Sequence, residues 1–195
     1  MQQPGTVGGA LNGEAPSSDA LNGEAANGEP LSEAPWRSHA PENYQCPFCD
    51  MASGEFTAPG NLCEPGDLVY ADDLVLAFIA SHGFDPEPGH VLVTPREHFE
   101  LLYELPDDVA ARLMIVTRDI AVAIKRAWRP DGVTTRQHNE PAGSQHVWHY
   151  HQHVLPRWTD DGLYFTPKRP IVDPAIRARK AAELRAVLTV SPSRP

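Results

Sequence analysis

From Val147 to Leu155 the chain places a histidine at every second position, His149, His151 and His153, in a run otherwise built largely of valine, tryptophan, tyrosine and leucine. β-Branched and aromatic residues closed by Pro156 read as a strand. On a strand, side chains return to one face every second residue, about 6.5–7 Å apart. The three imidazoles therefore form one row, while Trp148, Tyr150, Gln152 and Val154 face the other way. A lone histidine here is most simply a hydrogen-bonded core residue. Three in register call for a chemical use, either a metal site or imidazole catalysis. His146 falls on the opposite face unless the strand starts late or bulges, and Gly143 upstream frees the backbone for a late start.

The rest of the chain supplies partners for such a strand. Asp67 to Ile79 reads as a β-hairpin turning at Asp72-Asp73, and Pro88 to Pro95 as another short strand between turn signals. One long helix is expected from Leu105 to Trp128. Pro106, Asp107 and Asp108 suit its positive end; Val109, Leu113, Val116, Ile120 and Ile124 recur at helical spacing; Pro130-Asp131-Gly132 stops it. Gly132 to Gln137 returns as a strand. Asp173-Pro174 opens a second helix to about Leu188, on which Arg177, Arg179 and Lys180 read as a solvated face. His82 and His90 read as polar surface or strand-end hydrogen bonds.

Cys46-Pro47-Phe48-Cys49 can be half a zinc site, a redox dithiol, or two buried small residues. The redox reading wants a βαβ context, which does not follow. The zinc reading needs two further ligands, for which histidine is the natural supply. Cys63 reads as buried.

A net charge of −10, with five acids against Arg37 in residues 1–40, argues against a general nucleic-acid surface, while a local site for a small polyphosphate can oppose it. No apolar run is long enough to span a membrane, and the start lacks the basic and apolar regions of a signal peptide. Three cysteines make no disulfide framework, so a reducing, cytoplasmic setting is expected. Residues 1–40, where Ala10–Ala15 recurs as Ala20–Ala25, are too polar to offset the entropy of ordering and read as a disordered tail.

The run Gln145 to Arg157 resembles the histidine-triad (HIT) signature of nucleotide hydrolases and transferases, His-x-His-x-His followed by apolar residues. Asn139 to Gln145 is similar to the family's loop before the triad, and Leu155-Pro156-Arg157 to its ending. The resemblance covers roughly residues 44–165. It implies an α+β fold, with an antiparallel sheet of about five strands, one long helix and a C-terminal helix, and a symmetric homodimer. The expected divisions are a tail at 1–40, a HIT-like domain at 41–190 and a frayed end at 191–195. Cys46 and Cys49, followed by Gly54-Glu55, resemble the opening of zinc-binding members. That implies a structural Zn2+ completed by His98 and His149.

The same resemblance implies that His151 attacks the α-phosphate of a small nucleotide, a nucleoside phosphoramidate or dinucleoside polyphosphate, through a nucleotidyl-histidine intermediate. A neutral imidazole of ordinary pKa, about 6.5, can do so. Asn139, Gln145 and His153 would contact the phosphate or nucleotide. His146, standing where members carry Ser or Thr, would join them. Three further departures stand out: Ala80 where many members place an acid for the ribose hydroxyls, His138 eleven residues before His149, and Gln152 in a usually apolar slot. Two alternatives remain open. One is nucleotidyl transfer to phosphate or a sugar phosphate; the other is a zinc-braced nucleotide-binding module without turnover.

Overall fold

The computed structural model describes residues 36–84, 89–163 and 169–191. Of its two units, Met1–Arg37 and Ser38–Pro195, the architecture below belongs to the second. The expected tail lies outside the described residues as far as residue 35, and so does the expected frayed end beyond Ser191.

Five strands form one antiparallel sheet: β1 (Leu68–Ala71), β2 (Val75–Ile79), β3 (Val91–Pro95), β4 (Gly132–Gln137) and β5 (Gln152–Arg157). Their spatial order is β1-β2-β3-β5-β4, so the last strand in sequence is inserted between two earlier ones. Asp72 makes the first turn, its Oδ1 accepting from the N–H groups of Leu74 and Val75 at 2.9 Å each. Arg112 secures that turn from the long helix, donating through Nε to Asp72 Oδ2 and through Nη2 to the Tyr70 hydroxyl, both at 2.7 Å.

α2 (Asp107–Trp128) joins β3 to β4. Asp107 and Asp108 stand in its first turn and Lys125 and Arg126 in its last, each matching the helix dipole; Arg129 ends it in the left-handed region, φ 52°, just before Pro130. Val109, Leu113, Val116, Ile120 and Ile124 are all buried, packed with Ala77, Ile79, Val93 and Val154 on one face of the sheet. α3 (Pro174–Val187), capped by the Asp173 carboxylate on the Ala175 N–H, adds Ala181 and Leu184 to the same core. On the opposite face Phe78, Ala80 and Leu92 meet Cys63 and the Phe48 and Met51 side chains of α1 (Pro47–Ser53).

The histidine run departs from the expected strand, because ladder pairing begins only at Gln152. Upstream the backbone is engaged irregularly. Tyr150 N–H donates to the Phe99 carbonyl at 2.6 Å, the Thr94 hydroxyl donates to the Tyr150 carbonyl at 2.6 Å, and Trp148 N–H donates to the Tyr44 hydroxyl at 3.2 Å. Alternation nevertheless holds from Tyr150 on. Tyr150 and Val154 enter the helix-side core, while His151 and His153 face away from it.

The solvated face expected on α3 is corrected for two of its three cations. Arg177 is 1% exposed; it donates to Asp67 Oδ2 through Nε at 3.0 Å and to the Val172 and Leu62 carbonyls through its two terminal nitrogens. Lys180, one turn on, is also buried, with its ammonium 4.6 Å from the Trp128 ring centre. Both lie on the stripe that carries Ala181 and Leu184, so the helix period takes them inward. Arg179 stays exposed, 3.7 Å from Glu183. Burial raises the Asp67 pKa even against the Glu64 N–H and Arg177, so loss of the guanidinium would strand a buried acid. Arg177→Ala is therefore expected to destabilise the protein by about 3–5 kcal/mol. Arg179→Ala should cost under about 0.5 kcal/mol. Urea unfolding of both variants checks the contrast, which similar small losses would contradict.

Candidate active site

Strand register sets the site. Phe78 lies opposite Leu92, Leu92 opposite His153, and His153 opposite Arg136, so four strands present one continuous row. Two residues away along the same strands come Ala80, His90, His151 and His138. A cavity of about 380 Å³ opens on this face, and the histidines at 90, 138, 146, 151 and 153 all line it.

His151 is 7% exposed and lies edge-on to Phe48, ring centres 5.4 Å apart. Its Nδ1 is 2.8 Å from the His149 carbonyl, which can only accept. The Nδ1 of the neutral ring therefore carries the proton and Nε2 keeps its lone pair. Burial, with the imidazoles of His149, His138 and His146 adding to it, brings its pKa down to about 4 against that one hydrogen bond, so the ring is neutral at physiological pH. His153 follows with its ring centre 5.0 Å from that of His151. Its Nδ1 meets His90 Nε2 at 3.3 Å, and the two rings stack at 5.3 Å. Burial, then the neighbouring His90 and His151, lowers its pKa as well.

Of the two readings expected for His90, the polar surface is corrected and the strand-end hydrogen bond is found, since the residue directly precedes β3 and pairs with His153. It is 5% exposed because it stands two residues before Leu92 on the cavity face, and burial brings its pKa down to about 3. His146 reaches the cavity rim because the strand starts late. His138 also lines the cavity, its Nδ1 donating to the Gly143 carbonyl at 2.7 Å.

Asn139 and Gln145 lie outside the lining, with their amides turned into the loop. Gln145 accepts from Glu140 N–H at 2.8 Å and donates to the Glu100 and Val147 carbonyls. Asn139 accepts from Leu102 N–H at 2.9 Å. These bonds fold the loop so tightly that a Cβ on Gly143 would stand 2.0 Å from the Asn139 carbonyl oxygen, which restricts the position to glycine. Arg136 and Phe84 also line the cavity and were not singled out from the sequence. For Arg136 the signal was strand alternation, since Thr134, Arg136 and His138 share a face.

Cys46, Cys49, His98 and His149 converge, with one ligand atom from each inside a 4.8 Å span. Cys46 Sγ and His149 Nδ1 are 3.2 Å apart, Cys49 Sγ and His98 Nδ1 3.2 Å, and Cys49 Sγ and His149 Nδ1 3.6 Å. Tetrahedral zinc, with bonds of about 2.3 Å to sulfur and 2.0–2.1 Å to nitrogen, spaces adjacent S and N ligands about 3.5 Å apart. The donor set fits. His149 Nε2 donates to the Pro95 carbonyl at 3.0 Å, which leaves Nδ1 bare for a metal. Burial opposes ionisation of Cys46, but the His149 and His98 imidazoles outweigh it and bring the thiol down to about 5. Burial and the Cys46 charge hold Cys49 up, at about 12.

A family model for the HIT domain matches residues 62–160, half of the chain. An uncharacterized HIT-like protein of Saccharolobus solfataricus is 34% identical over 116 residues, 60% of this chain and 76% of that one. The adenylylsulfatase HINT3 of Arabidopsis thaliana is 29% identical over 119 residues, 61% of this chain and 55% of that one. The crystal structure of a zinc-bound histidine triad family protein from Mycobacterium smegmatis superimposes with a TM-score of 0.59 at 30% identity, covering 73% of this chain and 91% of that one.

The converging donors generate a metal prediction. Elemental analysis of the freshly purified protein should find about one zinc per chain, and chelation should lower the melting temperature, since metal binding adds to folding free energy. Zinc below roughly a tenth of an equivalent would return Cys46 and Cys49 to the role of packing residues.

Proposed function

Because the chain belongs to the HIT-domain family, we propose that it is a nucleotidyl hydrolase or transferase. In this reading its substrate is a nucleoside phosphoramidate or dinucleoside polyphosphate, and its nucleophile is His151. The observation that carries this is the 2.8 Å bond from His151 Nδ1–H to the His149 carbonyl, which fixes the tautomer with a free lone pair on Nε2 in the wall of the cavity. Nε2 bonds to the α-phosphorus as the bond to the leaving group breaks, and the departing group takes a proton from solvent. Nδ1–H stays on the His149 carbonyl and spreads the positive charge that the ring acquires. Water then bonds to phosphorus and gives up a proton to solvent, the N–P bond breaks, and the nucleoside monophosphate leaves with His151 neutral again.

In this reading the phosphate oxygens are met by His153, beside His151, and by His146 at the rim. Asn139 and Gln145 act on phosphate only indirectly, by shaping the loop that carries Ser144 and His146 into the lining. Zinc bound by Cys46, Cys49, His98 and His149 would be a closed structural brace with no open position for substrate. The adenylylsulfatase among the relatives fits a reaction at an α-phosphate.

His151→Ala should lower turnover about a hundredfold or more, with nucleotide binding kept. Rapidly quenched wild-type protein should carry an added mass of one nucleoside monophosphate. Tight binding with neither adduct nor product across both substrate classes would leave a nucleotide-binding module instead.

A further inference from the structure

One wall of the cavity is built by two segments far apart in sequence. After β2, residues 80–84 run beside residues 169–172. Val172 N–H donates to the Ser81 carbonyl at 2.9 Å, Gly83 N–H donates to the Pro170 carbonyl at 3.0 Å, and His82 and Ile171 form an antiparallel bridge between them. That register puts Arg169 across from Phe84, with its guanidinium 5.4 Å from the ring centre. Arg136, opposite His153 on β4, brings a second guanidinium to the same ring, also at 5.4 Å. From Phe84 the next ring is His90 at 5.4 Å, which stacks on His153. Arg169 is therefore set back from His151 by Phe84, His90 and His153, while Arg136 stands directly across from His153.

Three observations mark this wall as a place for an anion. No aspartate or glutamate is among the described residues that line the cavity, although the chain as a whole carries a net charge of −10. Two guanidiniums share one ring, and a guanidinium's planar donors match phosphate oxygens. His90 Nδ1 is buried without a hydrogen-bond partner among the described residues. A phosphate offers both accepting oxygens and, as its monoanion, a donating hydroxyl, so it can satisfy that nitrogen in either tautomer. Arg169 lies beyond the residues matched by the HIT domain, 62–160, so the shared domain does not account for it.

We propose that Arg136, Arg169 and His90 form a second phosphate subsite, which takes a further phosphate borne on the sugar of the nucleotide. The inference rests on His151 as the nucleophile.

The test uses the full zinc-loaded chain, with adenosine and guanosine series run in parallel. Calorimetry compares the 5′-monophosphate with the 2′,5′- and 3′,5′-bisphosphates. Turnover of a dinucleoside polyphosphate to monophosphate is followed alongside. One bisphosphate should bind about tenfold or more tighter than the monophosphate, the range of a charge-assisted hydrogen bond. R169Q should remove most of that preference and R169K keep most of it. A bisphosphate preference within about twofold overturns the subsite, as does a preference that persists unchanged in R169Q. Ordinary turnover to monophosphate in that circumstance leaves His151 as the nucleophile. Absence of both nucleotide binding and turnover overturns the two together.

Discussion

The placing of β5 between β3 and β4 decides which side chains can reach a substrate. Its register sends Val154 and, just upstream, Tyr150 into the core under α2, and that requirement leaves His151 and His153 on the other face. A slip of one residue would exchange the two sets. It would take a fully buried valine out of the core and put imidazoles against Val116 and Ile120. Burying an aliphatic side chain is worth about 1.5–3 kcal/mol, so the slip is costly on both faces at once. The reactive face is specified by the apolar face behind it.

His149 joins that frame to the cluster of candidate metal ligands. Its carbonyl holds His151 Nδ1, its ring Nε2 is tied to Pro95 at the end of β3, and its Nδ1 faces the two cysteines. Phe48, between those cysteines in sequence, lies edge-on to both His149 and His151. The four donors are therefore tied to His151 through two routes, one backbone carbonyl and one aromatic ring.

What could be read from the chain was what repeats locally. The stripe on α2, the Asp72 turn and the Asp173 cap each declare themselves within a few residues, while the antiparallel sheet of about five strands was implied by the family resemblance. The histidine run gave the right facing for 151 and 153 but too early a strand, because the backbone partners of 148–150 are Tyr44, Thr94 and Phe99, which no local pattern announces. The burial of His90 and of Arg177 went unread for a related reason. A histidine next to a turn and an arginine on a helix are ordinarily solvated, and their burial depends on Phe84, Asp67 and Val172, residues brought in by tertiary folding. Asn139 and Gln145 show the converse, polar residues beside a site whose amides are used by the loop itself.

The ion pair between Asp67 and Arg177 spans a sequence separation of 110 residues and joins the start of β1 to the last helix. During synthesis, then, the first strand leaves the ribosome with a carboxylate that cannot be buried until nearly the whole chain has followed. At about 5–20 residues per second, that interval is roughly 5–20 seconds. Until α3 follows, the hairpin of β1 and β2 has at most α2 for cover, and the central strand that carries His153 has yet to be made for most of the wait. A translation product truncated before α3 would therefore leave Asp67 without Arg177 and expose the apolar surface beside it to the cell's quality control.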